Sequence, residues 1–262
     1  MNNKEIKICN RFFNKKITCL TAYSSSVAKI LDGNVDLILI GDSLGTTLYG
    51  MKNTQSVTLD MMKFHGLAVT KYVKKSMTII DMPHKTYESN YDALKNSKDL
   101  IKYTKAKLIK LEVDEKKIGI IKYLNDNKIK TIAHIGVTPQ SYSNFSKIKI
   151  LGRIENERQR LIKLAKKVEL AGAKAILLEC ISEQTAKEIT TQVSIPTIGI
   201  GSSKFCDGQV LVFDDLINLC VSEHKPKFVK SYLNFTKISK AAIKKFNKEV
   251  KEGKFPSKSF TY

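Results

Sequence analysis

Short runs of β-branched and aliphatic residues recur along the chain, with longer amphipathic segments between them. This alternation is typical of parallel strands joined by helices that cover the faces of a sheet. The predicted strands are Ile17–Thr21, Val35–Ile40, Met77–Asp81, Leu108–Glu112, Thr131–His134, Ala175–Glu179, Pro196–Ile200 and, with a weaker pattern, Gln209–Phe213. The helices predicted between them are Ser24–Leu31, Thr58–Lys74, Tyr91–Lys105, Glu115–Asn125, Glu155–Ala171 and Ser182–Gln192.

Eight strand and helix units in a chain of 262 residues favour one α/β domain, a single (β/α)8 TIM barrel. No proline- or glycine-rich linker divides the chain. We expect the barrel core at about residues 17–232, and a C-terminal helical extension, residues 233–262, that packs outside it. The alternative is an open, doubly wound sheet. Its dinucleotide-binding form lacks support, because no G-x-G-x-x-G motif follows the first strand.

The formal net charge of +20, from 45 basic and 25 acidic residues, raises the alternative of a non-catalytic nucleic-acid-binding protein. The kind of basic residue argues against it, because only four of the 45 are arginines, whose planar guanidinium suits phosphates and base edges. The lysines are scattered, with no glycine-arginine or aromatic-basic block beside them. We therefore interpret them as a solvated surface and expect no specific nucleic-acid partner.

The composition, 42% apolar and 27% charged, is that of an ordinary soluble globular chain. No apolar run approaches the roughly 18 residues of a membrane span, and the N-terminal segment carries charges where a signal peptide is apolar. The five cysteines are scattered and never spaced as C-x-x-C, which predicts reduced thiols rather than disulfides or a zinc site. We expect a cytoplasmic protein with no membrane partner.

Ionisable residues stand at the carboxyl ends of five predicted strands. They are Asp42, Asp81, the pair Lys110 and Glu112, His134, and Glu179. Each one alone is compatible with a residue that merely begins a loop or caps the next helix. Together they indicate an active site, because (β/α)8 enzymes build their sites at this rim.

The charges at this rim predict a metal ion. Lys110 and Glu112 are two residues apart, so strand alternation places both side chains on one face. Carboxylates that converge there would repel one another and acquire raised pKa values unless they shared a cation. Oxygen ligands suit Mg²⁺ or Mn²⁺ better than zinc. We therefore expect a divalent cation at the rim.

Other segments give weaker signals. Asp42 and Ser43 stand in the segment GDSLG, whose glycines can admit a ligand close to the backbone but are also compatible with a simple turn. The long connection Gly136–Arg153 is interpreted as a rim loop that acts as a lid or contacts a partner. His65 and His224 are interpreted as structural.

The chain resembles the ketopantoate hydroxymethyltransferase family from about Thr18 to Tyr232. The shared segments are TAY at Thr21, VDLILIGDSLG ending at Gly45, VTLDMM at Val57, DMP at Asp81, KLIKLE ending at Glu112, HIGVTPQ at His134, AGAKAILLEC ending at Cys180, IPTIGIG ending at Gly201, DGQVLV at Asp207 and PKFVKSY at Pro226. So many segments in one order are too specific for chance.

The resemblance implies a (β/α)8 enzyme of pantothenate biosynthesis that requires Mg²⁺. It would transfer a hydroxymethyl group from 5,10-methylenetetrahydrofolate to 3-methyl-2-oxobutanoate and give 2-dehydropantoate. The implied site residues are Glu179 as proton acceptor; Asp42, Ser43, Asp81 and Lys110 as contacts of the oxo acid; and Asp42, Asp81 and Glu112, the last directly or through water, as metal ligands. His134 is the next candidate for the base. The implied assembly is a homodecamer.

Three positions depart from the family's pattern. Ser24 stands where Asp usually follows TAY, His84 where Phe usually follows the Asp-x-Pro triplet, and Ser202-Ser203 where the loop usually reads GIGAG. None removes a predicted ligand or the base. The nearest enzymatic alternative is another Mg²⁺-dependent 2-oxo acid barrel, of the phosphoenolpyruvate mutase and isocitrate lyase kind, against which HIGVTPQ and Glu179 argue.

Overall fold

The structure, a computed structural model, describes residues 16–144, 148–219 and 225–262. It contains two compact units, and the boundary between them in the sequence lies between Val212 and Phe213. The first unit contains all the strands of the described residues, and the second contains helices. Our prediction of a single domain with a barrel core to about residue 232 stays a prediction.

Eight parallel strands close into a barrel in the first unit. They are β1 (Ile17–Thr21), β2 (Leu37–Ile40), β3 (Met77–Asp81), β4 (Leu108–Glu112), β5 (Thr131–Gly136), β6 (Ala175–Glu179), β7 (Thr197–Ile200) and β8 (Gly208–Leu211). They follow one another around the barrel in sequence order, and β8 returns to pair with β1, where Gly208 lies opposite Ile17. This closure confirms the predicted (β/α)8 fold and excludes the open sheet.

Helices alternate with the strands. In the first unit they are α1 (Ser25–Leu31), α2 (Leu44–Thr47), α3 (Leu59–Thr70), α4 (Asn90–Thr104), α5 (Ile118–Asp126), α6 (Glu155–Leu170) and α7 (Glu183–Gln192). The hydroxyls of Ser24, Thr58 and Ser89 accept backbone hydrogen bonds at the starts of α1, α3 and α4, which explains where these helices begin. The short α2 was not predicted, because its four residues, LGTT, are too few to show an apolar period.

Alternate strand residues fill the interior of the barrel, as the period of two requires. The buried cluster consists of Ile17, Cys19, Leu37, Leu39, Ile79, Leu108, Ile132, Ala175, Leu177, Ile198 and Val210. Asp81 comes two residues after Ile79 and therefore shares its inward face. Likewise, His134 comes two residues after Ile132 on β5, and Glu179 comes two residues after Leu177 on β6. The ionisable strand ends therefore point into the mouth of the barrel.

The second unit contains α8 (Phe213–Ile217), α9 (Phe235–Lys251) and a short 3₁₀ turn at Lys258–Phe260. Within the described ranges, no helix is both long and apolar enough to cross a membrane. Three cysteines of the first unit, Cys19, Cys180 and Cys206, are buried free thiols. Cys9, Cys220 and His224 lie outside the described residues.

Candidate active site

The ionisable side chains at the carboxyl ends of the strands meet in the mouth of the barrel. Asp42, Asp81, Lys110, Glu112 and His134 each keep no more than 6% of their surface exposed. Glu179 is half-buried. The burial of these groups excludes the alternative that each residue merely begins a solvated loop. Because burying a charge is costly unless the charge is paired, their mutual contacts define the site.

Lys110 lies at the centre of this cluster. Its Nζ is 2.9 Å from Asp81 Oδ1 and donates a hydrogen bond of 3.3 Å to His134 Nδ1. Burial by itself lowers the pKa of a lysine, but the neighbouring carboxylates, Asp81 foremost, outweigh burial and raise the pKa of Lys110. The ammonium is therefore a fixed positive charge against which an anionic ligand can bind.

Three buried carboxylates surround this single ammonium. Burial is the largest cause that raises the pKa of Asp42, Asp81 and Glu112, and the pKa of Asp81 is raised to about 7. The backbone N–H of Asp42 donates to Asp81 Oδ2 at 3.1 Å. Although Lys110 Nζ is near Asp81 Oδ1, no described residue gives that oxygen a well-directed hydrogen bond. The cluster therefore holds three carboxyl groups against one ammonium, and Asp81 Oδ1 has only its ion pair with Lys110 among the described residues.

His134 connects Lys110 to Glu179. Because an ammonium only donates, His134 Nδ1 is the acceptor, and the neutral ring carries its hydrogen on Nε2. This Nε2 faces Glu179 Oε2 at 3.2 Å. Burial, followed by the charge of Lys110, lowers the pKa of His134. The imidazole is therefore neutral at neutral pH and presents an N–H group to the carboxylate of Glu179.

Gln140 is a site residue that sequence reasoning missed. It lies in a 3₁₀ turn, Pro139–Ser141, in the long loop after β5, and it is buried. Its Nε2 donates to Asp42 Oδ2 at 2.7 Å and to the carbonyl oxygen of Met82 at 2.9 Å. Its backbone N–H donates to Glu112 Oε2 at 3.1 Å. The segment HIGVTPQ contains this residue, but a single sequence does not show which loop side chain turns inward.

Ser43 follows Asp42 and is half-buried. Its Oγ is 2.7 Å from the hydroxyl of Tyr23, which belongs to the TAY segment after β1. The carbonyl oxygen of Tyr23 lies 2.7 Å from His65 Nδ1, so His65 makes the kind of structural contact that we expected. A Cβ atom at Gly41 would come within 2.8 Å of Ser43 Oγ, so a side chain there would displace the Ser43 hydroxyl.

The donor set fits a divalent cation only in part. Within the described part of the chain, no three His, Cys, Asp or Glu side chains form a complete metal-binding group. Asp42 and Asp81 are adjacent, and Asp81 Oδ1 makes an ion pair of 2.9 Å with Lys110 Nζ. Mg²⁺ commonly binds through one or two carboxylates and keeps several waters or substrate oxygens. The residues therefore fit a cation whose other ligands come from water and substrate.

The positions that depart from the family's pattern have structural contacts here. Ser24 caps α1 through its hydroxyl. The hydroxyl of Ser202 donates to the carbonyl oxygen of Leu178 at 2.8 Å, and Ser203 is buried. His84 is half-buried, and burial is the main cause that lowers its pKa. None of these contacts displaces a residue of the cluster.

Replacement of Gly136 by Ala should destabilise the barrel beside the site. Gly136 has a φ of +100°, and an added Cβ would lie 2.3 Å from the carbonyl oxygen of Glu179. Gly50→Ala is the matched control, because Gly50 also has a positive φ of +62° but no atom within 4 Å of the added Cβ. We expect Gly136→Ala to lower the free energy of unfolding, measured with urea, by more than roughly 1 kcal/mol. That figure is the cost of placing Ala at a positive φ without any steric clash. Equal losses in both variants would contradict the steric argument.

A family model described as ketopantoate hydroxymethyltransferase matches residues 6–258. The chain belongs to this family. A 3-methyl-2-oxobutanoate hydroxymethyltransferase of Pelagibacter ubique (strain HTCC1062) is 47% identical over 262 residues, which is 100% of both chains. One of Clostridium kluyveri is 43% identical over 263 residues, covering 100% of this chain and 94% of that protein. The predicted family is confirmed, and the protein is an enzyme.

Solved structures with low sequence identity share the fold of this chain. The structure of 2,3-dimethylmalate lyase, a PEP mutase/isocitrate lyase superfamily member, has a TM-score of 0.61 at 13% identity and covers 100% of this chain and 93% of that one. Phosphonopyruvate hydrolase in complex with oxalate and Mg²⁺ has a TM-score of 0.62 at 12% identity, with 98% of this chain and 92% of that one covered. At such identities the likeness concerns the barrel alone.

Proposed function

We propose that the enzyme transfers a hydroxymethyl group from 5,10-methylenetetrahydrofolate to 3-methyl-2-oxobutanoate and gives 2-dehydropantoate in pantothenate biosynthesis. The observation that carries this proposal is the buried cluster in which Lys110 contacts Asp81 and, through His134, reaches Glu179. A cation and a carboxylate base on one barrel rim are what a proton abstraction beside a keto group requires. The relatives described above are named for the same oxo acid.

The oxo acid would bind through its carboxylate and keto oxygens. Lys110 neutralises the substrate carboxylate, and the hydroxyl of Ser43 donates to it. Asp42 and Asp81 would hold Mg²⁺ directly and Glu112 through water. When bound there, Mg²⁺ supplies positive charge to the keto oxygen, which acidifies the neighbouring C3–H and stabilises the enolate.

Glu179 takes the proton from C3 of the oxo acid. His134 Nε2 lies 3.2 Å from Glu179 Oε2, so the neutral imidazole borders the carboxylate at the edge of the cluster. Because Glu179 ends β6 and Asp81 ends β3, the base and the cation site lie on different strands of the barrel. The carbon that has lost its proton then forms a C–C bond with the folate-derived one-carbon unit. Both C–N bonds between that unit and the folate break, one water molecule supplies the hydroxyl oxygen of the product, and tetrahydrofolate leaves.

The direct test is Mg²⁺-dependent formation of 2-dehydropantoate from the two substrates. We expect product only when both 3-methyl-2-oxobutanoate and 5,10-methylenetetrahydrofolate are present, and loss of the reaction after chelation of the metal. Cleavage of a 2-oxo acid or a 2-hydroxy acid without any dependence on folate would favour the alternative barrel enzyme and overturn the proposal.

The lysine-rich surface should bind nucleic acid only weakly and without sequence preference. Counterion release alone would drive such binding, so we expect it to disappear by about 0.2 M salt. Retention on DNA and RNA columns across a salt gradient measures this. Tight binding with base preference at that salt would show that the charge of +20 has a specific role.

We propose a homodecamer, on the strength of the family resemblance. Light scattering at micromolar concentration should report the mass of ten chains. A stable monomer would contradict this assembly. It would not contradict the fold, because the barrel closes within one chain.

A further inference from the structure

Every polar group of Gln140 has a partner inside the first unit. The Nε2 group uses both of its hydrogens, on Asp42 Oδ2 and on the carbonyl oxygen of Met82. Oε1 accepts a hydrogen bond of 2.6 Å from the hydroxyl of Tyr87. The backbone N–H donates to Glu112, and the backbone carbonyl oxygen accepts from Gln55 Nε2 at 2.9 Å. Such complete pairing is expected of a buried amide that has a fixed orientation.

The orientation of the Gln140 amide follows from these partners. If the amide were flipped, Oε1 would face the carboxylate of Asp42 and the carbonyl oxygen of Met82, which are both acceptors. Tyr87 is 1% exposed, and burial raises the pKa of its hydroxyl, so it keeps its proton and donates to Oε1. Tyr87 therefore locks the amide with its N–H groups towards Asp42.

Gln140 bridges two carboxylates that come from different strands. Asp42 follows β2, 98 positions away in the sequence, and Glu112 ends β4, 28 positions away. A hydrogen bond to a carboxylate stabilises its ionised form, which is the form that binds a cation. Donors of this kind also fix the direction in which the carboxylate points.

We propose that Gln140 is a positioning residue of the cation site: its side-chain amide, locked by Tyr87, orients Asp42, while its backbone N–H orients Glu112. The inference rests on the proposed function only in requiring that the cluster binds a divalent cation. It gives the loop after β5 a role in assembling the site, in addition to any role as a lid.

The test is the affinity of the full-length protein for Mn²⁺ without substrates, measured by electron paramagnetic resonance of free Mn²⁺. Gln140→Met removes the side-chain donors to Asp42, keeps the backbone N–H that reaches Glu112, and changes the volume little. It should weaken Mn²⁺ binding about 10- to 100-fold, the range for lost partners of metal ligands. Tyr87→Phe releases the amide and should weaken binding in the same direction. If Gln140→Met does not fold, the Mn²⁺ affinity of Tyr87→Phe tests the proposal instead.

Gln55→Met is the matched control, because it removes an anchor of the same loop, the bond to the Gln140 carbonyl oxygen, without touching Asp42 or Glu112. It should bind Mn²⁺ as the parent does. Parent-like affinity in Gln140→Met, or equal losses of affinity in Gln140→Met and Gln55→Met, would overturn the inference. Gln140 would then only anchor its loop. Absence of Mn²⁺ binding by the parent protein would instead overturn the proposed cation site, and this inference with it.

Discussion

Replacement of Asp81 by Asn should remove most of the Mg²⁺ affinity and lower the turnover rate by more than about 10²-fold. Loss of a hydrogen-bond partner of a metal ligand already costs about 10- to 100-fold in affinity, and a direct ligand should cost at least as much. Asn keeps the size of the side chain, and Lys110 keeps the attraction of Asp42 and Glu112. The fold should therefore persist, and calorimetric titration with Mg²⁺ can measure the loss.

Asp36→Asn is the control for Asp81→Asn. Asp36 stands before β2, at the opposite end of the barrel, and accepts hydrogen bonds from the backbone N–H and hydroxyl of Thr18 at 2.9 Å. Its loss should cost about 1 kcal/mol of stability and leave Mg²⁺ affinity unchanged. If Asp81→Asn bound Mg²⁺ as tightly as the parent, Asp81 would not be a ligand.

The strands and the inward direction of their last residues could be predicted from the sequence. β-branched runs mark where each strand lies, and the period of two places Lys110 and Glu112 on one face. Closure of the barrel then brings residues from β3 to β6 together, because parallel strands share one carboxyl edge. The contacts between Lys110, Asp81 and His134 follow from that geometry.

The role of Gln140 could not be predicted in the same way. Its loop has no period, so neither the turn at Pro139–Ser141 nor the inward direction of one amide follows from alternation. Helix α2 could not be predicted for a related reason. It is a single turn of four residues, too short to show an apolar stripe or to be stable by itself. Local patterns therefore predicted the scaffold and the charged groups, whereas the hydrogen bonds that orient those groups depend on tertiary structure.

Replacement of Glu179 by Gln should lower the turnover rate about 10²- to 10⁴-fold, the usual loss when a positioned general base is removed. Gln keeps the size of the side chain, and its carbonyl oxygen can occupy the position of Glu179 Oε2, 3.2 Å from His134 Nε2. Glu183→Gln is the matched control, because Glu183 is an exposed residue in the first turn of α7. That variant should retain the activity of the parent.

The first step can be isolated from the rest of the reaction. In heavy water with Mg²⁺ and without folate, the parent protein should exchange the C3 hydrogen of 3-methyl-2-oxobutanoate, and Glu179→Gln should not, as proton NMR can follow. His134 is a poor substitute, because its Nδ1 accepts from Lys110 and its Nε2 already carries the hydrogen that faces Glu179. Equal exchange by parent and variant would mean that the proton leaves to another group. His134 would then be the next candidate, in a different tautomer from the one its bond to Lys110 imposes.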